Sequence, residues 1–226
     1  MARLPRLALA GQGHYVVQST VHGQPLALDD EDRRALLAAL QAAAQARGVQ
    51  VWGYALLPQA LHLVVCPPDD TALGALMQTL GRRYVAAFNR RHGRSGALWG
   101  GRFRAAVVEG GEWLLAALCL VDRLGLEPGG WGSAPHHLGQ RRDPLLAEPP
   151  EIWALGNTPF ERERAWRGRL AEGVDPAQAQ ALARAVRGAW VAGSDAFVAE
   201  VEARAGRRAG PRRPGRPARA GRSGER

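Results

Sequence analysis

Arginine is the residue whose spacing first suggests chemistry. Residues 82–104, RRYVAAFNRRHGRSGALWGGRFR, hold seven arginines and no acid. The pair Arg82 and Arg83 precedes Arg90 and Arg91 by a little over two helical turns. That spacing sets both pairs on roughly one helix face, able to follow a phosphate backbone. Arg94, Arg102 and Arg104 continue the strip through a glycine-rich loop, where backbone can approach a phosphate closely. Trp99 and Phe103 lie among them. An open Trp99 would stack on unpaired bases, and a buried one would anchor the loop. A second block, residues 207–226, has eight arginines and one acid, Glu225. Its Gly215-Arg216-Pro217 resembles the core of an AT-hook, in which an extended arginine enters a narrow minor groove.

The chain has 226 residues, thirty arginines, no lysine and a net charge of +9. The two blocks together contribute +14, so the remainder sums to about −5. Clustered like charges reinforce one another within a Debye length of roughly 8 Å, which suits an anion-binding surface. At 46% hydrophobic the chain can build a core, which excludes a wholly disordered protein. No apolar run reaches the length of a membrane span, and the run near the N-terminus is too short for a signal peptide. Cys66 and Cys119 lie in apolar segments, as free thiols do in a reducing compartment. The expectation is a soluble cytoplasmic, nucleoid-associated protein with no membrane partner.

The elements that must position these residues follow from periodicity and caps. His14–Thr20 alternates and is rich in β-branched residues, which predicts a strand. Asp29 opens a helix whose first turn is crowded with acids, whose stripe is Leu36, Leu37 and Leu40, and which stops at Gly48. Val49–Leu57 and Leu61–Cys66 read as strands separated by Pro58. Thr71–Arg91 carries Leu73, Leu76, Leu80, Tyr84 and Phe88 at helical spacing. Phe103–Glu109 is a fourth strand and Glu112–Leu124 a third, strongly apolar helix. The order β-α-β-β-α-β followed by a helix predicts an α+β, ferredoxin-like antiparallel sheet. Helices are expected on one face, leaving the other free for a ligand.

Residues 1–130 are accordingly read as that domain and 131–150 as an irregular connection. Residues 151–206 form a helical extension, with helices at Pro159–Glu172, Asp175–Ala192 and, capped by Ser194, Asp195–Ala205. Residues 207–226 are read as a disordered basic tail.

Several stretches carry a family resemblance. ARLPRLALAGQGHYVVQS, ALLPQALHLVV and LMQTLGRRYVAAFNRRHGRSGALWGGRFRA, with LGNTPFERERAW and FVAEVEARAGRR further on, resemble the REP-associated tyrosine transposases. These are single-tyrosine, HUH-type enzymes, and the likeness spans nearly the whole chain. It implies cleavage of single-stranded DNA by a tyrosine hydroxyl, with a 5′-phosphotyrosine intermediate and a divalent metal polarising the phosphate. It also implies two histidines flanking a hydrophobic residue on a central strand, and a tyrosine on the helix after the fourth strand.

The chain departs from this pattern at each point. The histidine triplet falls on Ala60-Leu61-His62, so one ligand is a methyl group and His62 is the sole residual metal candidate. The nucleophile position falls on Leu120, the asparagine one turn later on Leu124, and the helix exit on Leu124-Gly125-Leu126. Of the three tyrosines, Tyr15 and Tyr54 lie on expected strands, and Tyr84 lies in a helical core stripe. His92, His136 and His137 read as surface residues.

The expected function is therefore binding of hairpin or single-stranded DNA with the cleavage site lost. No catalytic residue and no cofactor is expected, and Mg²⁺ or Mn²⁺ would enter only if cleavage survived. An active single-tyrosine transposase and a non-catalytic oligomerisation module are the alternatives. A homodimer is left open.

Overall fold

The computed structural model describes residues 7–211. Six strands and eight helices alternate along it. Strand β1 (Gly13–Ser19) is followed by α1 (Asp30–Gln45), whose N-cap Asp29 accepts a hydrogen bond from the Asp32 amide. Next come β2 (Gln50–Leu57) and β3 (Ala60–Cys66), joined by a two-residue turn, then α2 (Ala72–Arg91), β4 (Arg104–Val108) and α3 (Glu112–Leu126). The βαββαβ order stands. The remaining chain adds β5 (Trp131–Gly132), α4 (Ala134–His137), α5 (Pro150–Trp153), α6 (Pro159–Glu172), α7 (Pro176–Gly188), β6 (Val191–Ala192) and α8 (Asp195–Ala205).

The sheet runs β5-β2-β3-β1-β4-β6. Every pairing is antiparallel except β4 with β6, so the sheet is mixed. Side chains alternate across it, as the pleat requires. Val16, Leu61, Leu63, Val65, Tyr54 and Ala105 face α1 and α2. Tyr15, Val64, Ala55, Ala106 and Val108 face α3, α6 and α7.

Both faces are therefore covered, which corrects the expected free face. The reason lies in α3, which has no polar side. Leu114, Leu115, Leu118 and Val121 are buried together with Ala116, Ala117 and Cys119. Each large aliphatic among them stabilises the fold by roughly 1.5–3 kcal/mol when taken out of water. A helix apolar all round must be enclosed, and α6 and α7 enclose it. Helix α6 begins at a capping box in which Thr158 and Glu161 satisfy each other's amides. It delivers Trp166, 1% exposed, to this second core.

The 151–206 segment is thus part of the same body as the sheet, and residues 131–150 supply an edge strand. Residues 207–211 are held as well: the Ala209 carbonyl accepts from the Val191 amide, and the Ala209 amide donates to Glu202. The rest of the expected disordered tail lies outside the described residues. Among the described residues no helix is long and apolar enough to cross a membrane. Cys119 is buried, Cys66 half-buried, and both are free thiols.

Candidate nucleic-acid interface

The loop from Trp99 to Phe103 sits at the end of the β1–β4 pair. Two glycines let it lie flat there. A Cβ on Gly100 would stand 2.7 Å from the Thr20 carbonyl oxygen, and Gly101 has a φ of +123°. The Gly100 amide donates to the Ser19 carbonyl, and the Gln18 side-chain amide donates to the Gly101 carbonyl at 3.1 Å.

A cavity of about 690 Å³ opens beside this loop, on the α7 side of the sheet. Arg102 and Arg104 enter it from the loop and β4, and Arg207 and Arg208 from the chain beyond α8. Trp190 closes it from the turn after α7. Arg104 also donates to the Arg187 carbonyl at the end of α7. Two stretches far apart in sequence therefore bring four arginines to one concavity, as an anion-binding surface requires. A second cavity of about 390 Å³ lies on the α2 side, lined by Gln18, Gly74, Gln78, Gly81, Trp99 and Arg102, among others.

The other predicted arginines divide into two groups. Arg82, Arg83 and Arg90 are exposed on α2 and have no partner among the described residues. Arg83 and Arg90 are seven residues apart, which returns to nearly the same helix face about 10 Å further on. Arg91 instead forks onto Asp29, Glu31 and Asp32 at the start of α1, which holds it in its charged form. Arg94 donates to Gln24 and lies over the Phe88 ring. These two arginines tie α2 and its loop to the rest of the fold. Trp99 is half-buried against Tyr84, with ring centroids 6.3 Å apart, so it anchors the loop while lining the second cavity. Arg216 lies outside the described residues.

The row on which the resemblance puts metal ligands runs beside the larger cavity. Ala60 pairs with Ser19, and His62 pairs with Val17, which in turn pairs with Arg104. Val17, Ser19 and Arg104 all line that cavity. The residues do not fit a divalent ion. Ala60 has no donor, and His62 Nδ1 is bonded to the Tyr15 hydroxyl at 2.7 Å. Burial lowers the His62 pKa to about 4. Among the described residues no three His, Cys, Asp or Glu side chains converge as a ligand set. Leu120 and Leu124 pack against the second core.

All three tyrosine hydroxyls are engaged within the protein. Tyr15 bonds His62, Tyr54 donates to Asp143 and Tyr84 donates to the Leu26 carbonyl. Burial raises the pKa of each.

All three histidines read as surface residues are at least half-buried, and His136 accepts a hydrogen bond from the Asp143 amide. His137 is 5% exposed, not a surface residue. Its Nδ1 lies 2.7 Å from Asp122, whose carboxylate also accepts from Ser133 and from the Trp166 indole. Burial pulls the His137 pKa down, but the Asp122 carboxylate outweighs it and the net shift is upward. His92 is half-buried and bonds Asp32. A signal for the first network existed: a lone aspartate inside the apolar Glu112–Leu126 stretch must find partners.

No family's sequence profile matches the chain, and no curated protein sequence matches it. Among solved structures, it is similar to a REP-associated tyrosine transposase bound to a REP hairpin. The two share 12% identity and a TM-score of 0.52, over 67% of this chain and 93% of that one. A candidate transposase from Deinococcus radiodurans R1 is also similar, at 21% identity and a TM-score of 0.37, over 48% and 88% of the two chains. The likeness to the first of these is one of fold.

Proposed function

We propose that the protein holds hairpin or single-stranded DNA without cutting it. The observation that carries this reading is the four-arginine cavity bordering the row of Ala60 and His62. That row is where the sequence resemblance would put the metal ligands, yet it offers one imidazole already bonded to a phenol. The similar transposase is bound to a REP hairpin, which favours a structured nucleic acid as the ligand. Phosphates would be neutralised by Arg102, Arg104 and Arg208, with Arg82, Arg83 and Arg90 extending the interface along α2. No divalent cofactor takes part in this function.

A second reading has one observation in its favour. A hydroxyl beside a histidine is the geometry of an activated nucleophile, and Tyr15 and His62 have it. Against it, Tyr15 is 4% exposed and burial raises its pKa, so attack on a phosphate would require the sheet to open.

One experiment separates the two. The protein is incubated with a hairpin-bearing oligonucleotide and Mg²⁺ or Mn²⁺, and covalent adducts are sought on denaturing gels. Binding without adduct supports the proposal. A 5′-linked adduct abolished by Tyr15→Phe would establish the second reading. Absence of any salt-sensitive binding would overturn both.

A further inference from the structure

The two cavities lie on opposite faces of the sheet and meet at the same four residues: Gln18, Gly101, Arg102 and Phe103. Gln18 is 6% exposed. Its amide nitrogen donates to two backbone carbonyls, Ser19 at 3.2 Å and Gly101 at 3.1 Å. Both partners are acceptors, so the amide can be oriented only one way and its Oε1 is the remaining edge. No residue among the described ones donates to that oxygen. Gln18 lines both cavities, so an acceptor there can meet a donor brought in by a ligand.

The walls around it differ from those of the arginine cavity. Trp99 supplies aromatic surface and Met77 an adaptable thioether. On α2, Gly74 and Gly81 flank the exposed amide of Gln78. An ideal Cβ on Gly74 would meet nothing within 4 Å, so its missing side chain serves no internal packing and leaves the mouth of the cavity open. The volume falls in the range typical of small-ligand sites, about 300–1,000 Å³.

We propose that this second cavity is a slot for one unstacked base of a single-stranded nucleic acid. Gln18 Oε1 is its reader, accepting a hydrogen bond from an exocyclic amine. The strand's phosphates run past Arg102 into the arginine cavity while the base turns in against Trp99. Adenine and cytosine each carry such an amine on an edge. Thymine has none, and its single ring N–H lies between two carbonyl oxygens that would face the acceptor. The inference rests on the nucleic-acid reading above and adds a base preference to it.

The test uses the full chain and homopolymeric oligonucleotides of about twelve nucleotides, of deoxyadenosine, deoxycytidine or thymidine. Two variants are compared with the wild type. Gly74→Leu fills the mouth of the slot at a helical position with open space, so folding is not at stake. Gln18→Met keeps length and removes the acceptor. Gly74→Leu is expected to weaken single-strand binding about fivefold or more, as loss of one stacked base does. The salt dependence should stay unchanged, because no arginine is touched. Gln18→Met is expected to reduce the adenine-over-thymine and cytosine-over-thymine affinity ratios by about three- to tenfold relative to wild type. Taking the ratio between proteins cancels the oligonucleotides' own stacking.

Unchanged affinity in Gly74→Leu, or an unchanged ratio in Gln18→Met with folding confirmed by circular dichroism, would overturn the slot. The arginine cavity would remain in either case. A wild-type protein that binds none of the three would overturn the slot and the nucleic-acid reading together.

Discussion

The hydroxyl of Tyr15 lies 2.7 Å from Nδ1 of His62, across the β1–β3 pairing. They are diagonal neighbours on one face, since Tyr15 is opposite Val64 and His62 is opposite Val17. The phenol thus occupies one of the two imidazole nitrogens, with Tyr15 buried and His62 half-buried on the same face of the sheet.

This burial predicts a pH dependence of stability. His62 has its pKa lowered by burial to about 4, and His14, which bonds the Gln12 carbonyl and the Leu9 amide, likewise to about 4. An unfolded histidine titrates near 6.5. The unfolded chain therefore binds more protons between those values, and stability falls as pH drops from about 6.5 to about 4. Each histidine should contribute about 3 kcal/mol to that loss. Denaturant titrations across this range would show it. The double variant Tyr15→Phe/His62→Leu, which removes both polar partners, should have a shallower slope than wild type by roughly one histidine's share.

Arginines of the two groups should respond differently. Replacing Arg83, Arg90 or Arg102 by Ala should weaken DNA binding and lower the slope of log affinity against log salt by about 1 for each phosphate no longer neutralised. Their melting temperatures should stay close to wild type. Arg91→Ala should do the reverse: the slope holds, and melting temperature drops because Asp29, Glu31 and the buried Asp32 lose a shared partner. Fluorescence anisotropy at several salt concentrations, paired with thermal melts, separates the two.

The Asp122 network should dominate the stability of the second core. Asp122→Ala leaves His137 and the Trp166 indole without their acceptor, and leaves the Ser133 hydroxyl only the Tyr54 carbonyl. Removing one partner of such a buried pair costs about 3–5 kcal/mol. Trp166→Phe retains most of the ring but drops the indole donor, and should cost less. Equilibrium unfolding of the two variants gives the comparison directly.

Divalent ions offer a negative control with a clear reading. A ligand that binds only the native state raises stability by mass action, about 2.7 kcal/mol at a hundred times its dissociation constant. With Ala60 lacking a donor and His62 engaged by Tyr15, millimolar Mg²⁺ or Mn²⁺ should leave the melting temperature of the free protein unchanged. A metal-dependent rise abolished by His62→Leu would contradict that geometry.

The first half of the fold was legible because its signals are local. Asp29 caps α1 where expected, and the Leu73–Leu76–Leu80–Tyr84–Phe88 stripe is the buried side of α2. The second half was less so, because its determinants are tertiary. Strands β5 and β6 have two residues each, too few for any periodicity, and exist only because β2 and β4 offer them an edge. Coverage of both sheet faces was signalled only by the lack of a polar side on α3. The arginine block was found as composition, but its division was not. Whether Arg91 meets phosphate or Asp29 depends on how α1 and α2 are packed. Gln18 was missed altogether, since a glutamine at a strand end carries no sequence signal of lining two cavities.

The two-residue strands at the rims have a consequence for assembly. A long strand at the margin of a sheet offers unpaired amides and carbonyls to any other chain, and copies of a protein can join through it. Here the outermost strands stop after two residues, and β6 continues directly into the Ser194 cap of α8. Neither margin offers the several consecutive positions that a borrowed strand would need. Self-association by sheet extension is therefore disfavoured at both ends, and a pairing of two copies would have to use side-chain surfaces.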